Sequence, residues 1–266
     1  MAVRRREDIL KRSREMKSRR RTHRRLALVI TFVVFISASL IALNLNAFDI
    51  KSILVRGTGS LPSGDIELLA REGMLGSYLY LVPRTNIFFY PRTALLKNIR
   101  ALSPRIASVR MHVTTTRILV IDITEHAPRY LWCGKEEKSC LYLNTEGFAF
   151  AHAFNAQGLP YPVFVVGTSI PTLEKFAINS RIFIPLARFV DTLPLGVTRV
   201  EVEGEHSEIF VTAGYRLIVN SYTDFIVARR NLIVALADPQ FIEPLARGQI
   251  LEYIDLRIPE KVFYKF

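Results

Sequence analysis

The sequence lacks the spacings that announce catalysis. No serine has a lysine three positions on, so the acyl-enzyme pattern Ser-x-x-Lys is missing, and so is the nucleophile turn G-x-S-x-G. H-E-x-x-H and the phosphate loop G-x-x-x-x-G-K-[ST] are missing as well. Gly57-Thr58-Gly59 lacks the rest of a dinucleotide fingerprint and reads as a turn that ends a strand. The five histidines (His23, His112, His126, His152 and His206) are scattered and read as solvated or structural side chains. Glu252 and Asp255 fall on one expected strand at a three-residue spacing, which turns them to opposite faces and excludes an acid–base pair. These absences favour a non-catalytic protein with no cofactor, metal or small-molecule substrate.

Cysteine is scarce. The two present, Cys133 and Cys140, flank a polar loop between Tyr130-Leu131-Trp132 and Leu141-Tyr142-Leu143, the pattern of a β-hairpin. The spacing C-x6-C suits neither zinc nor a redox motif. A hairpin would bring the two sulfurs together, so a disulfide is expected in an oxidising compartment; two free thiols are the alternative.

Long apolar runs are equally scarce: one exists, Leu26 to Leu45, free of charge throughout. Twenty helical residues rise about 30 Å, the thickness of a bilayer's hydrocarbon core. The net charge is +12, and residues 1–25 hold nine of those charges. That distribution argues against nucleic acid as a partner, since the remainder is close to balanced. Basic residues beside an apolar run set its orientation with that side in the cytoplasm. The expectation is a single-pass membrane protein: a basic cytoplasmic tail over 1–25, a transmembrane helix over 26–46, and all else outside. A cleaved signal peptide is disfavoured by the length of the charged region and by apolar residues continuing past Ser37-Ala38-Ser39.

Beyond the apolar run, the fold class reads as α+β. Residues 47–127 give a strand ending at Gly57, a helix with Ser63 as N-cap, and a second helix opened by Pro91. Two strands follow, at Val109–Val113 and Arg117–Thr124. Residues 128–266 give a mixed, mainly antiparallel β domain. Its two helices carry the stripes Phe183, Leu186, Ala187, Val190, Leu193 and Phe225, Ala228, Leu232, Ala235, Leu236. Pro239 stops the second. The closing strands are expected at Gln249–Arg257 and Lys261–Lys265.

Four pieces, in order, carry a resemblance. They are the opening strand from Phe48 to Gly57; the block from Pro104 through Val113 to Ile123-Thr124-Glu125-His126-Ala127-Pro128; Leu141-Tyr142-Leu143-Asn144-Thr145-Glu146-Gly147-Phe148-Ala149-Phe150; and Ile254-Asp255-Leu256-Arg257 followed by Val262-Phe263-Tyr264-Lys265. In this order the chain resembles the bacterial cell-division family FtsQ/DivIB, and its β-α-α-β-β unit resembles a POTRA domain. Asn144 departs from the family, which usually has Asp there. The resemblance implies a non-catalytic divisome scaffold at the septum of the cytoplasmic membrane. Such a scaffold binds FtsB/FtsL-like partners by strand addition at its C-terminal edge and helps recruit or regulate septal peptidoglycan synthesis. The family's partner-contacting stretch falls on Arg257, Ile258, Val262, Phe263 and Tyr264. The competing reading is a membrane-anchored cell-wall hydrolase or transferase with an unfamiliar active site.

Overall fold

The computed structural model describes residues 24–39, 41, 46–136, 139–154, 156 and 158–266. The chain forms two compact units, one within residues 1–101 and 109–123, the other of 102–108 and 124–266.

The expected membrane span is overturned. Residues 24–39 are helical (α1), and of the expected span residues 40 and 42–45 lie outside the described residues. Among the described residues no helix is long and apolar enough to cross a membrane. The single-pass topology and the placing of the chain in the cytoplasmic membrane fall with it. Of the basic tail, residues 1–25, residues 1–23 lie outside the described residues.

In the first unit, strand β1 (Ser52–Arg56) leads into helix α2 (Ser63–Gly73). A small hairpin of β2 (Ser77–Tyr78) and β3 (Val82–Pro83) precedes helix α3 (Arg92–Leu102) and strands β4 (Ile106–Val113) and β5 (Ile118–Glu125). The strand, two helices and two strands stand in the expected order, with the hairpin inserted between the helices. The sheet runs β1-β5-β4, with β1 parallel to β5. Ile66 and Ala70 of α2, and Leu95 and Ile99 of α3, are the helical residues buried in this unit's core. Ser63 is not the cap of α2: Pro62 holds that position and makes no side-chain bond. Gly57 has φ +79°, and a Cβ there would run into the carbonyl oxygen of Ile123, so only glycine ends this strand without a clash.

The second unit is one mixed sheet. Its strands are β6 (Tyr130–Cys133), β7 (Cys140–Leu143), β8 (Ala149–Ala153), β9 (Val163–Val166), β10 (Val197–Glu203), β11 (His206–Val211), β12 (Arg216–Asn220), β13 (Tyr253–Asp255) and β14 (Phe263–Lys265). Their order is β14-β13-β12-β11-β10-β9-β6-β7-β8. Neighbours pair antiparallel except at β6/β9, β9/β10 and β12/β13. Parallel neighbours need a crossover. Helix α4 (Ser180–Thr192) makes the crossover between β9 and β10. Helices α5 (Phe225–Ala237) and α6 (Pro239–Ala246) make the one between β12 and β13. Three helices stand where two were expected.

The core lies between these helices and the sheet. Tyr130, Phe164 and Phe183 form an aromatic triangle with ring centroids 5.0–5.6 Å apart. Gly147, at φ +83°, admits the Phe183 ring, since a Cβ there would lie 2.7 Å from it. The Tyr130 hydroxyl donates to Asp191 (2.8 Å), which also pairs with Arg129 (3.1 Å). Burial first, and this bond second, push the Tyr130 phenol up.

Candidate functional site

The site is built at the end of the nine-stranded sheet, where, among the described residues, β14 has a strand partner on one side only. Its register against β13 is Tyr253↔Lys265, Ile254↔Tyr264 and Asp255↔Phe263. The Leu256 N–H donates to the Ile218 carbonyl (2.9 Å) and the Arg216 N–H to the Glu252 carbonyl (3.2 Å). These bonds turn the even-numbered residues of β13 toward β12, and leave Tyr253 and Asp255 facing β14. Their opposites, Lys265 and Phe263, therefore spend their main-chain groups on β13. Alternation along the strand then points the N–H and C=O of Tyr264 to the open side.

Side chains alternate the other way. Tyr264 shares the face of Ile254, which is fully buried, and lies under α6. Its ring meets Phe241 of α6 at 5.2 Å and Phe266 at 5.6 Å. Val262, Tyr264 and Phe241, with Asn231 and Val234 of α5, line a groove of about 310 Å³ beside the open edge. Phe263 takes the opposite face, with Asp255 beside it in register, and is half exposed, as is Ile258 in the preceding turn. The five residues singled out in the sequence thus divide: Val262 and Tyr264 border the groove, whereas Phe263 projects from the other face.

Arg257 is committed within the chain. Its Nε lies 2.9 and 3.1 Å from the two Asp255 carboxylate oxygens and its Nη2 2.6 Å from Oδ2, while its N–H donates to Oδ1 at 3.0 Å. Burial alone would raise the Asp255 carboxyl, but the hydrogen bonds and charge of Arg257 outweigh it and hold the group below its ordinary value. The pair fixes the turn that carries the chain from β13 toward β14.

Cys133 and Cys140 form a disulfide, with Cα atoms 4.2 Å apart. They face each other directly across the β6–β7 ladder, which is the hairpin their spacing implied.

Sequence reading missed two features near these elements. One is α6 with Phe241 and the groove beneath it. The other is the joint around His126, whose ring lies 5.4 Å from both Phe148 and Phe150 and 3.2 Å from the Asn144 amide. Asn144 Oδ1 accepts from the N–H groups of Glu146 and Phe148, closing the turn ahead of Gly147. An aspartate could accept the same two bonds, so the departure at Asn144 preserves the turn. Burial lowers the His126 pKa, with Glu146 drawing it partly back.

No family model and no curated protein matches the chain.

Proposed function

We propose that this chain is a non-catalytic scaffold of bacterial cell division, of the FtsQ/DivIB kind, that binds an FtsB/FtsL-like partner by adding the partner's strand to β14. One observation carries the reading: β14 ends the sheet with the main chain of Tyr264 turned outward, beside a groove of mixed character that Phe241, Val262 and Val234 share with Asn231, Asp238, Gln240 and Glu260. Strand addition draws affinity from main-chain pairing and specificity from pockets that take alternate side chains. An added strand would find both here. Its backbone would pair at Val262, Tyr264 and Phe266, and a side chain on the helical face would enter the groove against Phe241. The aromatic character of the edge suits it to anchor an interface. The resemblance of the four sequence blocks to the FtsQ/DivIB family supplies the cell-division context.

The test is a titration of the full chain with the FtsB-like protein of the same bacterium. Saturable binding that is lost on Tyr264→Pro, in protein that keeps its fold, supports the reading. Absence of binding by the wild-type chain, or undiminished binding by the folded variant, overturns it.

A further inference from the structure

The outer surface of α4 and α5 is a second, separate feature of this unit. Ala228 and Leu232 of α5 face the core, yet Ile226 is 84% and Ile233 43% exposed. Between α4 and α5 runs a groove of about 540 Å³ with Pro185, Phe189 and Phe225 as its floor and Ile226 on its lip. The Phe189 and Phe225 rings pack 5.0 Å apart, so the floor is fixed by the fold.

The lining of this groove carries two arginines and one carboxylate, that of Asp224. Arg188 and Arg229 stand at its rim, and Arg181 and Arg230 are the other basic residues of the two helices. Among the described residues, no carboxylate pairs with any of the four. The Arg229 Nε donates to the Thr192 carbonyl (3.1 Å), which holds it over the groove. The two nearby carboxylates are occupied elsewhere. Asp191 binds Tyr130 and Arg129, and Asp224 accepts from the N–H groups of Ile226 and Val227 as the cap of α5.

We propose that this groove takes an acidic amphipathic helix of a partner protein. Both walls are helices, whose main-chain groups are already bonded, so no open sheet edge is offered and the partner must be read by its side chains. An amphipathic helix meets that condition, with apolar anchors at i, i+3, i+4 and i+7 in the groove. Carboxylates flanking those anchors face Arg188 and Arg229, where charge-assisted pairing sets orientation and excludes a basic helix. The surface lies between α4 and α5 and the strand-addition groove between α5, α6 and β14, so the two grooves are lined by different residues.

The test uses the full chain and a fluorescent helical peptide of about 18 residues, five turns, with Leu at i, i+3, i+4 and i+7 and Glu on the flanks. Saturable binding is expected, weakened at least about tenfold when Gln replaces Glu, and weakened again as salt rises from about 0.05 to about 0.5 M. Ile226→Glu and Arg188→Glu should each weaken it at least about fivefold at unchanged unfolding temperature, because both side chains are exposed. Arg188→Glu should also gain affinity for the same peptide with Lys in place of Glu. Failure of the acidic peptide to bind overturns the proposal, as does equal binding of the Glu, Gln and Lys peptides. Wild-type affinity in both folded variants overturns it too. So does self-association of the chain that Ile226→Glu abolishes and the acidic peptide leaves untouched, since the groove would then belong to a second copy.

Discussion

Tyr264 stands edge-on to Phe241, with ring centroids 5.2 Å apart and planes 88° to one another. Phe241 is itself only 2% exposed. The residue whose main chain faces the open edge therefore also closes the core beneath α6, and its two roles can be separated. Tyr264→Ala should lower stability by about 1–2 kcal/mol, less than a fully buried aromatic because the ring is partly exposed. Tyr264→Phe keeps the ring and should change stability by under about 0.5 kcal/mol. Chemical denaturation of the three proteins measures this. Equal midpoints for Tyr264→Ala and wild type would show that the Phe241 contact does not hold the strand.

The Cys133–Cys140 bond closes a short loop across adjacent strands. In the chain-entropy account such a loop contributes about 2.5 kcal/mol. Reductant should therefore lower the unfolding free energy by about 2–3 kcal/mol. The double variant Cys133→Ser/Cys140→Ser should match the reduced protein and ignore reductant. Mass analysis of non-reduced protein made in an oxidising compartment should find the two residues joined. Two alkylatable thiols under those conditions would contradict this.

Part of the second unit was legible because α4 carries a clean stripe: Phe183, Leu186, Ala187, Val190 and Leu193 are all buried, as written in their spacing, whereas of the α5 stripe only Ala228 and Leu232 are. The hairpin around the cysteines was legible for the same reason, two apolar runs about a polar loop. What escaped was a second meaning of the same residues: Pro239 does follow the end of α5 at Ala237, but Asp238 also accepts from the Gln240 N–H and Pro239 occupies a first turn, so the same pair starts α6. Proline is favoured at that position, and an Asp-Pro step is therefore ambiguous in sequence. The expected membrane span found no counterpart, since no helix among the described residues is long and apolar enough to cross a membrane. The candidate edge was found only in part. Exposure and alternation at Phe263 and Tyr264 depend on which strand lies beside β14, and that order is a property of the whole sheet.

His126 gives a pH dependence whose sign follows from its burial, which lowers its pKa in the folded chain. Above about pH 6.5 the imidazole is neutral in both states and its contribution to stability is fully present. As pH falls below that value the unfolded chain binds the proton first, so stability declines until the lowered folded pKa is passed. Unfolding free energies between about pH 8 and pH 5 should show this loss. His126→Phe, which keeps a ring between Phe148 and Phe150, should flatten the slope over that range. An equally steep fall in the variant would assign the effect to other groups.

Asp255 titrates in a different window. Its carboxyl is held below the ordinary value, so its contribution is present above about pH 4 and is lost as pH falls through the folded value. Asp255→Asn, which leaves Arg257 without its carboxylate, should cost about 1–3 kcal/mol at neutral pH. The variant should lose less stability than wild type on acidification. If it loses as much, the Asp255–Arg257 pair does not govern the acid limb.

The strand-addition proposal stands or falls on one N–H. Proline at Phe263 is a poor probe, because that residue's main chain faces β13 and the change would break the native ladder. Tyr264→Pro instead deletes a donor turned to the open side, but it also removes the ring. Comparison with Tyr264→Ala isolates the difference, since alanine loses the same ring and keeps the N–H. If an FtsB-like strand pairs here, affinity should fall from wild type to Tyr264→Ala by about 1–2 kcal/mol as a side-chain anchor is lost. It should fall from Tyr264→Ala to Tyr264→Pro by at least about 1 kcal/mol more as the main-chain bond goes. Circular dichroism and denaturation curves must first show that both variants keep the wild-type fold. Equal affinity for the alanine and proline variants would mean that the partner reads side chains alone, and the edge of β14 would then not be where its strand adds.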